Sequence, residues 1–401
     1  MRINQQTFHH IILIVFIYSK FFYHSLLQVG QFNFTLSDFC LGAMLLTTIN
    51  SRIKMENTYR KIIAISIIII PIFTIGSLIQ GGSITSGLII YIKRWLSLLV
   101  IPIYISVSFK KNSISLIVYY LIGIVFYFSF LNWNELLQSI KTTRFFDTFN
   151  PNILGMTISL ILIFILNYRD KHMSPGIKGL IYFICVMIII AVSSRGALLA
   201  LIPVLLIHFL FKLKRITYKG LVSSILVIIV VFVFLPNIIN ATAIVFPYSY
   251  SRILNTFQQS IVNDPSASSR LNTQATIVGI MKKNIYLALF GTGFGNENMF
   301  FTLFKYGYGI NTADSMYVNM LAWSGIIGLI LFMSVLFMIL KRIVRLSNNV
   351  YRDAAIQITL FMLFAGIASD TFMEPTIGAI YFVFLGIYEI CNVERIQSKY
   401  G

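Results

Sequence analysis

Charged residues are scarce in this chain of 401 residues: Asp, Glu, Lys and Arg make up 11% of the sequence, whereas 57% of the residues are hydrophobic. Soluble domains carry about 25% charged residues, so this composition excludes an ordinary soluble domain. The net charge of +18 would suit a nucleic-acid-binding protein. The basic residues, however, lie in short clusters between apolar runs, as topology signals of membrane proteins do. We therefore expect no nucleic acid partner.

Cysteines are also few, and none is arranged as a metal ligand. Cys40, Cys185 and Cys391 lie in or beside apolar runs without a C-x-x-C pair, which argues against a disulfide framework and a zinc site. The histidines are scattered without metal-ligand spacing. Walker, Asp-x-Asp and Gly-x-Ser-x-Gly motifs are absent, and the glycines of residues 291–295 lack the Lys-Ser/Thr of a P-loop. We therefore expect neither a metal nor another cofactor.

The chain is instead dominated by apolar runs, many of them long enough to cross about 30 Å of hydrocarbon as a helix. Continuous apolarity favours helices over the alternating strands of a membrane barrel. The sequence predicts an all-α polytopic membrane protein, a single membrane domain over residues 1–401 with about twelve transmembrane helices. The predicted spans are 9–29, 33–50, 61–80, 92–109, 113–131, 151–167, 177–193, 196–212, 219–236, 315–340, 353–371 and 376–393.

The basic residues predict the orientation of these spans. Most of them fall in connections on one side, such as Arg52, Lys54, Lys110, Lys111 and Arg342. The positive-inside rule places this side, with both termini, in the cytoplasm.

Two connections on the opposite, outer side are long, residues 132–150 and 237–314. Long loops are commonly functional, and we expect 237–314, between the ninth and tenth spans, to cap an outer cavity. Within it the sequence predicts an amphipathic helix over 268–283, a short apolar segment at 285–290 and a glycine turn at 291–295. The expected apolar face of the helix consists of Leu271, Ala275, Val278 and Ile280.

Three arginines on the predicted outer side are candidate anion ligands. Arg195 lies in a very short turn between two spans, Arg270 lies near the start of the loop helix, and Arg144 precedes the sixth span. A guanidinium stays charged and offers a planar fork that suits phosphate, and a helix N-terminus also favours anions. Each arginine also has a structural explanation, as a snorkelling side chain or as a solvated charge.

Acidic and polar residues complete the candidate site. Asp314 lies where the long loop re-enters the membrane, so it is a candidate general base or ligand of a sugar hydroxyl, with helix capping as the alternative. Asp370 and Glu374 flank the outer turn between the last two spans, where acidic residues are costly at membrane depth. Asn152, at the entry to the sixth span, and Tyr317, close to Asp314, are further candidates for substrate binding.

Three features together resemble the O-antigen ligase/polymerase superfamily. They are the segment Ser-Arg-Gly-Ala-Leu-Leu-Ala-Leu at 194–201, Arg270 followed by the turn at 291–295, and the segments 314–318 and 324–329. The long outer loop also matches the layout of this family. Ligases of the superfamily carry a His-Asn pair at the loop exit, where this chain has Asp314 and Ser315. The resemblance therefore favours the Wzy-type polymerase branch.

The resemblance implies an all-helical fold of the lipid-dependent (GT-C-type) glycosyltransferases and an O-antigen or capsular polysaccharide polymerase. Such enzymes transfer the growing glycan from undecaprenyl diphosphate to a hydroxyl of the next lipid-linked repeat unit, at the outer face of the bacterial cytoplasmic membrane. The implied partners are the undecaprenyl-diphosphate-linked oligosaccharide, membrane lipid, a chain-length regulator and a flippase. Arg195 and Arg270 would hold the diphosphate and Asp314 would orient or deprotonate the acceptor.

Two alternatives stay open at this point. A ligase of the same superfamily would transfer the glycan to lipid A-core. A flippase or another transporter would also have many spans, but transporters often consist of repeat-related halves, which this sequence does not show. The long outer loop fits a transporter poorly.

Overall fold

A computed structural model of the protein describes most of the chain. Contacts divide it into two compact units, residues 1–118 with 269–401, and residues 119–268. The described residues are 5–21, 25–29, 32–50, 57–80, 84–131, 150–168, 173–192, 194–213, 247, 250–251, 265–294, 314–345 and 351–400.

In its described residues the first unit is helical apart from one small sheet. Two antiparallel strands, β1 (Ser25–Val29) and β2 (Phe32–Thr35), form this sheet. The helices of the first unit, numbered in chain order, are α1 (Gln5–Ser19), α2 (Leu36–Asn50), α3 (Asn57–Gln80), α4 (Ile84–Tyr91), α5 (Val100–Ser108), α11 (Ile285–Phe290), α12 (Met316–Arg345), α13 (Arg352–Ala365) and α14 (Pro375–Tyr400).

The second unit contains helices that pack around α7. Helix α7 contacts both α8 and α9. Two further helices, α6 and α10, begin in one unit and end in the other. These five helices are α6 (Ile114–Phe126), α7 (Pro151–Asn167), α8 (Pro175–Val192), α9 (Arg195–Leu213) and α10 (Pro265–Lys282).

The helical fold expected for a membrane protein is observed in the described residues. Five helical stretches are long and apolar enough to cross a membrane, and shorter apolar helices accompany them. The predicted ninth span, 219–236, lies outside the described residues. The five stretches are Thr58–Ile79, Gly87–Ser108, Lys111–Phe130, Pro175–Val192 and Met316–Arg345.

The prediction of one helix over residues 9–29 is wrong. Helix α1 ends at Ser19, and β1 and β2 follow it, with Gln28 paired to Asn33. Polar residues interrupt the apolar run after Ser19, and pairing with a neighbouring strand satisfies the backbone of β1 in place of helical hydrogen bonds. The second part of this region therefore belongs to a hairpin that leads directly into α2.

A π-helical turn joins α4 to α5 and distributes side chains between the core and the surface. The turn covers Ile92–Leu96. Within it Trp95 is fully buried and contacts the rings of Phe332, Phe372 and Phe382. Its indole nitrogen donates to Ser66 Oγ at 3.1 Å. An aromatic core of this kind ties the turn to α12 and α14.

A buried ion pair joins the C-terminal halves of α12 and α14. The Arg342 guanidinium donates to the Glu389 carboxylate, and both side chains are less than a tenth exposed. The guanidinium also lies 4.7 Å from the centre of the Tyr59 ring in α3. The ion pair and the ring contact together link three helices. Removal of one partner from a buried pair is costly, because it leaves the other charge uncompensated.

We predict that Glu389→Ala destabilises the protein strongly, because Arg342 then keeps a buried charge without this carboxylate. The expected loss is about 3–5 kcal/mol, seen as a lower midpoint in thermal unfolding of the detergent-purified protein. Arg345→Ala, at an exposed position of the same helix end, is the matched control and should leave the midpoint unchanged. Equal midpoints for the two variants would contradict a stabilising role for the pair.

Candidate functional site

Helix α12, which begins just after Asp314, contains a break. Gly325 has φ 63° and ψ −170° inside this helix, a conformation that glycine adopts without strain. A break of this kind interrupts the ladder of helical hydrogen bonds and leaves carbonyl groups without helical donors. In a spanning helix these carbonyls need other partners, because lipid offers none.

The glycine turn after α11 supplies those partners. The Thr292 backbone N–H donates to the Ala322 carbonyl at 2.8 Å, and the Gly293 N–H donates to the Trp323 carbonyl at 3.0 Å. The predicted short apolar segment and tight turn are thus confirmed for residues 285–294. Helix α11 packs against α12, and the turn that follows α11 closes the break with its own backbone.

Small residues in neighbouring helices make room for this turn. Gly76 of α3 lies so close that an added Cβ would be 2.7 Å from the carbonyl oxygens of Phe290 and Gly291. Phe294 follows the turn and is fully buried, with its ring 4.3 Å from that of Trp323 and 5.8 Å from that of Phe73. Direct backbone contact and aromatic packing therefore hold the turn in place.

The predicted loop helix is confirmed as α10, and its buried face is formed by Thr273, Ile277 and Met281. Ile277 and Met281 pack against Ala322 of α12. A spacing of four residues places these three side chains on one side of the helix. Helix α10 is thereby fixed against the broken part of α12, and this contact positions Arg270 near its start.

The predicted apolar face of this helix is wrong in two of its four members. Leu271 and Ala275 are exposed, whereas Val278 and Ile280 are partly buried. The apolar residues of α10 are distributed around the helix, and a polar residue, Thr273, lies on the buried side. Hydropathy alone therefore does not identify which face packs.

The structure brings two of the predicted site residues together in an ion pair. Arg270 Nε lies 3.0 Å from Asp314 Oδ2, and the two side chains are 35% and 44% exposed. The contact uses one of the five N–H donors of the guanidinium. No other partner of Arg270 lies in the part of the chain that the structure describes. Its remaining N–H groups can therefore meet an anion.

The turn between α13 and α14 is hydrogen-bonded to the start of α12. The Met316 N–H donates to the carbonyls of Gly366 and Ser369 at 2.9 and 3.2 Å. The Tyr317 hydroxyl donates to the Leu363 carbonyl at 2.7 Å, so this predicted substrate-binding residue contacts the backbone of α13. The turn thus lies next to the segment that carries Asp314.

Asp370 lies in this turn, because α13 ends at Ala365 and not at the predicted residue 371. The side-chain amide of Asn319 donates to Asp370 Oδ2 at 3.4 Å. Asp370 Oδ1 is buried, and within the described residues it has no hydrogen-bond partner. An orphaned carboxylate oxygen of this kind is uncommon in folded proteins and needs an explanation.

Burial raises the pKa of the Asp370 carboxyl to about 6. The Arg94 guanidinium, the Asn319 amide and the Met373 backbone N–H favour the charged form, whereas the Glu374 carboxylate opposes it. Desolvation outweighs the favourable contacts. Asp370 therefore changes its charge close to neutral pH.

Glu374 caps α14. Its Oε2 accepts from the backbone N–H groups of Thr376 at 2.7 Å and Ile377 at 3.4 Å. A carboxylate at the N-terminus of a helix stabilises it through both hydrogen bonds and the helix dipole. Glu374, which was predicted to bind substrate, therefore has a structural role as the cap of α14.

Sequence reasoning missed a charged group around the hairpin. Lys93, from the π-helical turn, lies 3.0 Å from Asp38 and donates to the Asn33 carbonyl at 2.7 Å. Lys20 is only 6% exposed and lies over the Phe16 ring. A signal was available in each case: a charge inside an apolar run marks Lys20, and the Thr-x-x-Asp capping-box pattern at 35–38 marks Asp38.

In the second unit, polar residues mark the starts of α7 and α9. Asn150 caps α7, with Pro151 in the first turn. The Ser194 hydroxyl donates to Asn152 Oδ1 at 3.3 Å, which links the starts of the two helices. Arg195 is the first residue of α9 and is partly buried. Two predicted site residues thus lie close together here, whereas Arg144 lies outside the described residues.

Among the residues that the structure describes, no group of three or more His, Cys, Asp or Glu side chains could hold a metal ion. A model of the family described as O-antigen ligase matches residues 180–333. This match confirms the resemblance to the O-antigen ligase/polymerase superfamily. It contains Arg195, Arg270 and Asp314 and ends before Asp370. A search of curated proteins finds no match.

Together with the apolar helices, the family match indicates a bacterial membrane protein, and members of the matching family transfer glycosyl groups. The matched segment includes α10, α11 and the break in α12.

We predict that Gly76→Ala disturbs the glycine turn, because the new methyl group would collide with two backbone carbonyls that cannot move independently. The expected cost is about 1–3 kcal/mol in thermal unfolding, together with reduced polysaccharide synthesis. Gly42→Ala in α2 is the matched control, since no atom lies within 4 Å of its added Cβ. Wild-type stability and synthesis in Gly76→Ala would contradict the tight seating of the turn.

Proposed function

We propose that the protein is a polysaccharide polymerase that transfers a glycan from undecaprenyl diphosphate to the next lipid-linked repeat unit. The reaction would take place at the outer face of the cytoplasmic membrane. The observation that carries the proposal is the ion pair of Arg270 and Asp314 just before the start of α12. It combines an anion-binding side chain with an aspartate at the loop exit, where ligases of the superfamily carry histidine.

The reaction requires little from the protein beyond positioning of the substrates and neutralisation of charge. The donor already has a diphosphate leaving group, so no nucleotide sugar is needed. The protein has to hold this group, neutralise the developing charge and place the acceptor hydroxyl near the anomeric carbon. Arg270 fits the first two tasks, because Asp314 orients its guanidinium through Nε and the other N–H groups remain available for phosphate oxygens.

Arg195 is proposed as a second ligand of the glycan diphosphate, and Asn152 and Arg144 as ligands of the sugars. Arg195 begins α9, and Asn152 accepts a hydrogen bond from the adjacent Ser194. Tyr317 and Glu374 were predicted to bind substrate as well. Their observed hydrogen bonds to backbone groups suit them to a structural role near the site.

A ligase is the second candidate, because the description of the matching family is O-antigen ligase. A ligase would use the same donor but transfer the glycan to lipid A-core. Deletion of the gene separates the two functions. Loss of a polymerase should leave single repeat units on the surface lipid, whereas loss of a ligase should leave none. Electrophoresis of the surface glycolipid of the deletion strain distinguishes these patterns.

We predict that Arg270→Ala abolishes long polysaccharide at an unchanged protein level, because the diphosphate then loses a charge-assisted ligand. Arg195→Ala should have the same effect. Synthesis is measured by electrophoresis of the polysaccharide from a deletion strain that carries each variant. Arg60→Ala, at an exposed position of the predicted cytoplasmic side, is the control and should support normal chains. Full-length polysaccharide from both outer-side variants would refute the assignment.

A further inference from the structure

The proposed transfer needs a group that accepts the proton of the attacking hydroxyl. Asp314 was expected to serve, but its Oδ2 lies 3.0 Å from Arg270 Nε. A diphosphate bound to Arg270 would also bring a second anion close to Asp314. The observed geometry therefore suits Asp314 to orienting the arginine.

Asp370 has the geometry that Asp314 lacks. The turn that carries it is hydrogen-bonded to the start of α12 through Gly366, Ser369 and Met316, two residues beyond Asp314. Asn319 holds Oδ2, and no group in the described part of the chain donates to Oδ1. Oδ2 is thus held in place, whereas Oδ1 is a buried acceptor that still needs a donor from outside the described chain. A substrate hydroxyl is such a donor.

The groups that face Asp370 come from three segments. Arg94 belongs to the π-helical turn after α4, Asn319 to α12, and Met373 and Glu374 to the same turn as Asp370. The Glu374 carboxylate already caps α14. Burial raises the pKa of Asp370 to about 6, which is well matched to proton transfer near neutral pH.

We propose that Asp370, rather than Asp314, accepts the proton of the acceptor hydroxyl, an inference that rests on the glycosyl transfer proposed above. The hydroxyl oxygen forms a bond to the anomeric carbon of the donor sugar. The bond from that carbon to the diphosphate oxygen breaks, and its electron pair leaves with the polyprenyl diphosphate. The hydroxyl proton moves to Asp370 Oδ1. Asn319 is a positioning residue, because it acts by holding Oδ2.

The test measures glycan elongation as a function of pH. Purified full-length protein in detergent is mixed with lipid-linked repeat units extracted from cells that lack the gene. The wild-type rate should rise about tenfold per pH unit up to pH about 6 and then level off, because Asp370 must be deprotonated to accept the proton. Asp370→Asn should lower the rate by about 100-fold or more and remove this acid limb.

Two further variants make the result specific. Asp370→Glu keeps a carboxylate and should retain measurable elongation, with its acid limb shifted because the longer side chain is solvated differently. Asp314→Asn should elongate more slowly but keep the wild-type limb. Thermal midpoints show whether each variant is folded. If Asp370→Asn does not fold, Asp370→Glu decides the question, and an unshifted limb in it overturns the proposal.

Two other outcomes would also overturn the proposal. One is a rate in Asp370→Asn close to that of the wild type, and the other is an acid limb that persists unchanged in this variant. The failure of the polymerase assignment itself has a different signature. The wild-type protein would then not elongate the repeat units at any pH, so the wild type and Arg270→Ala would be equally inactive in this assay.

Discussion

The candidate site depends on the hydrogen bonds that close the break in α12. A spanning helix cannot leave carbonyl groups unpaired in lipid, and Gly325 interrupts the helical ladder at the point where Ala322 and Trp323 need donors. The turn at 291–294 provides them. The turn and the helix therefore depend on each other. The carbonyls at the break bind the turn after α11, and the turn supplies the donors that these carbonyls would otherwise lack. Helix α10, which carries Arg270, is packed against the same part of α12.

Several charged residues of the first unit lie close to a residue of opposite charge. Arg270 contacts Asp314, Lys93 contacts Asp38, and the charge of Arg94 favours the charged form of Asp370. Such pairing favours the charged forms of the side chains, although burial outweighs it at Asp370, and a direct contact also fixes their direction. An arginine held through Nε presents its other donors in a defined orientation. A transferase that relies on position and charge, and on no cofactor, would gain most from this arrangement.

The sequence was sufficient for features that depend on local periodicity. Apolar runs located most of the described helices, and the short segment at 285–290 with its glycine turn was predicted because few other structures suit six apolar residues followed by Gly-Thr-Gly. The hairpin was missed, because hydropathy does not distinguish a short apolar strand from the continuation of a helix. The packed face of α10 was predicted from apolar residues alone. It includes the polar residue Thr273, whose burial depends on tertiary neighbours. The pairing of Arg270 with Asp314 and the orphaned oxygen of Asp370 arise from contacts between distant segments, and no local pattern encodes them.

The order of the segments along the chain has a consequence for biogenesis. Residues 285–294 leave the ribosome before α12 does, since synthesis proceeds from the N-terminus. The amide groups that the interrupted helix requires are therefore already present when that helix is delivered to the lipid bilayer. A circularly permuted chain that began at α12 would insert this helix first, with two carbonyls exposed to hydrocarbon. With the natural order of segments, the nascent protein does not pass through an inserted state in which these carbonyls are unpaired.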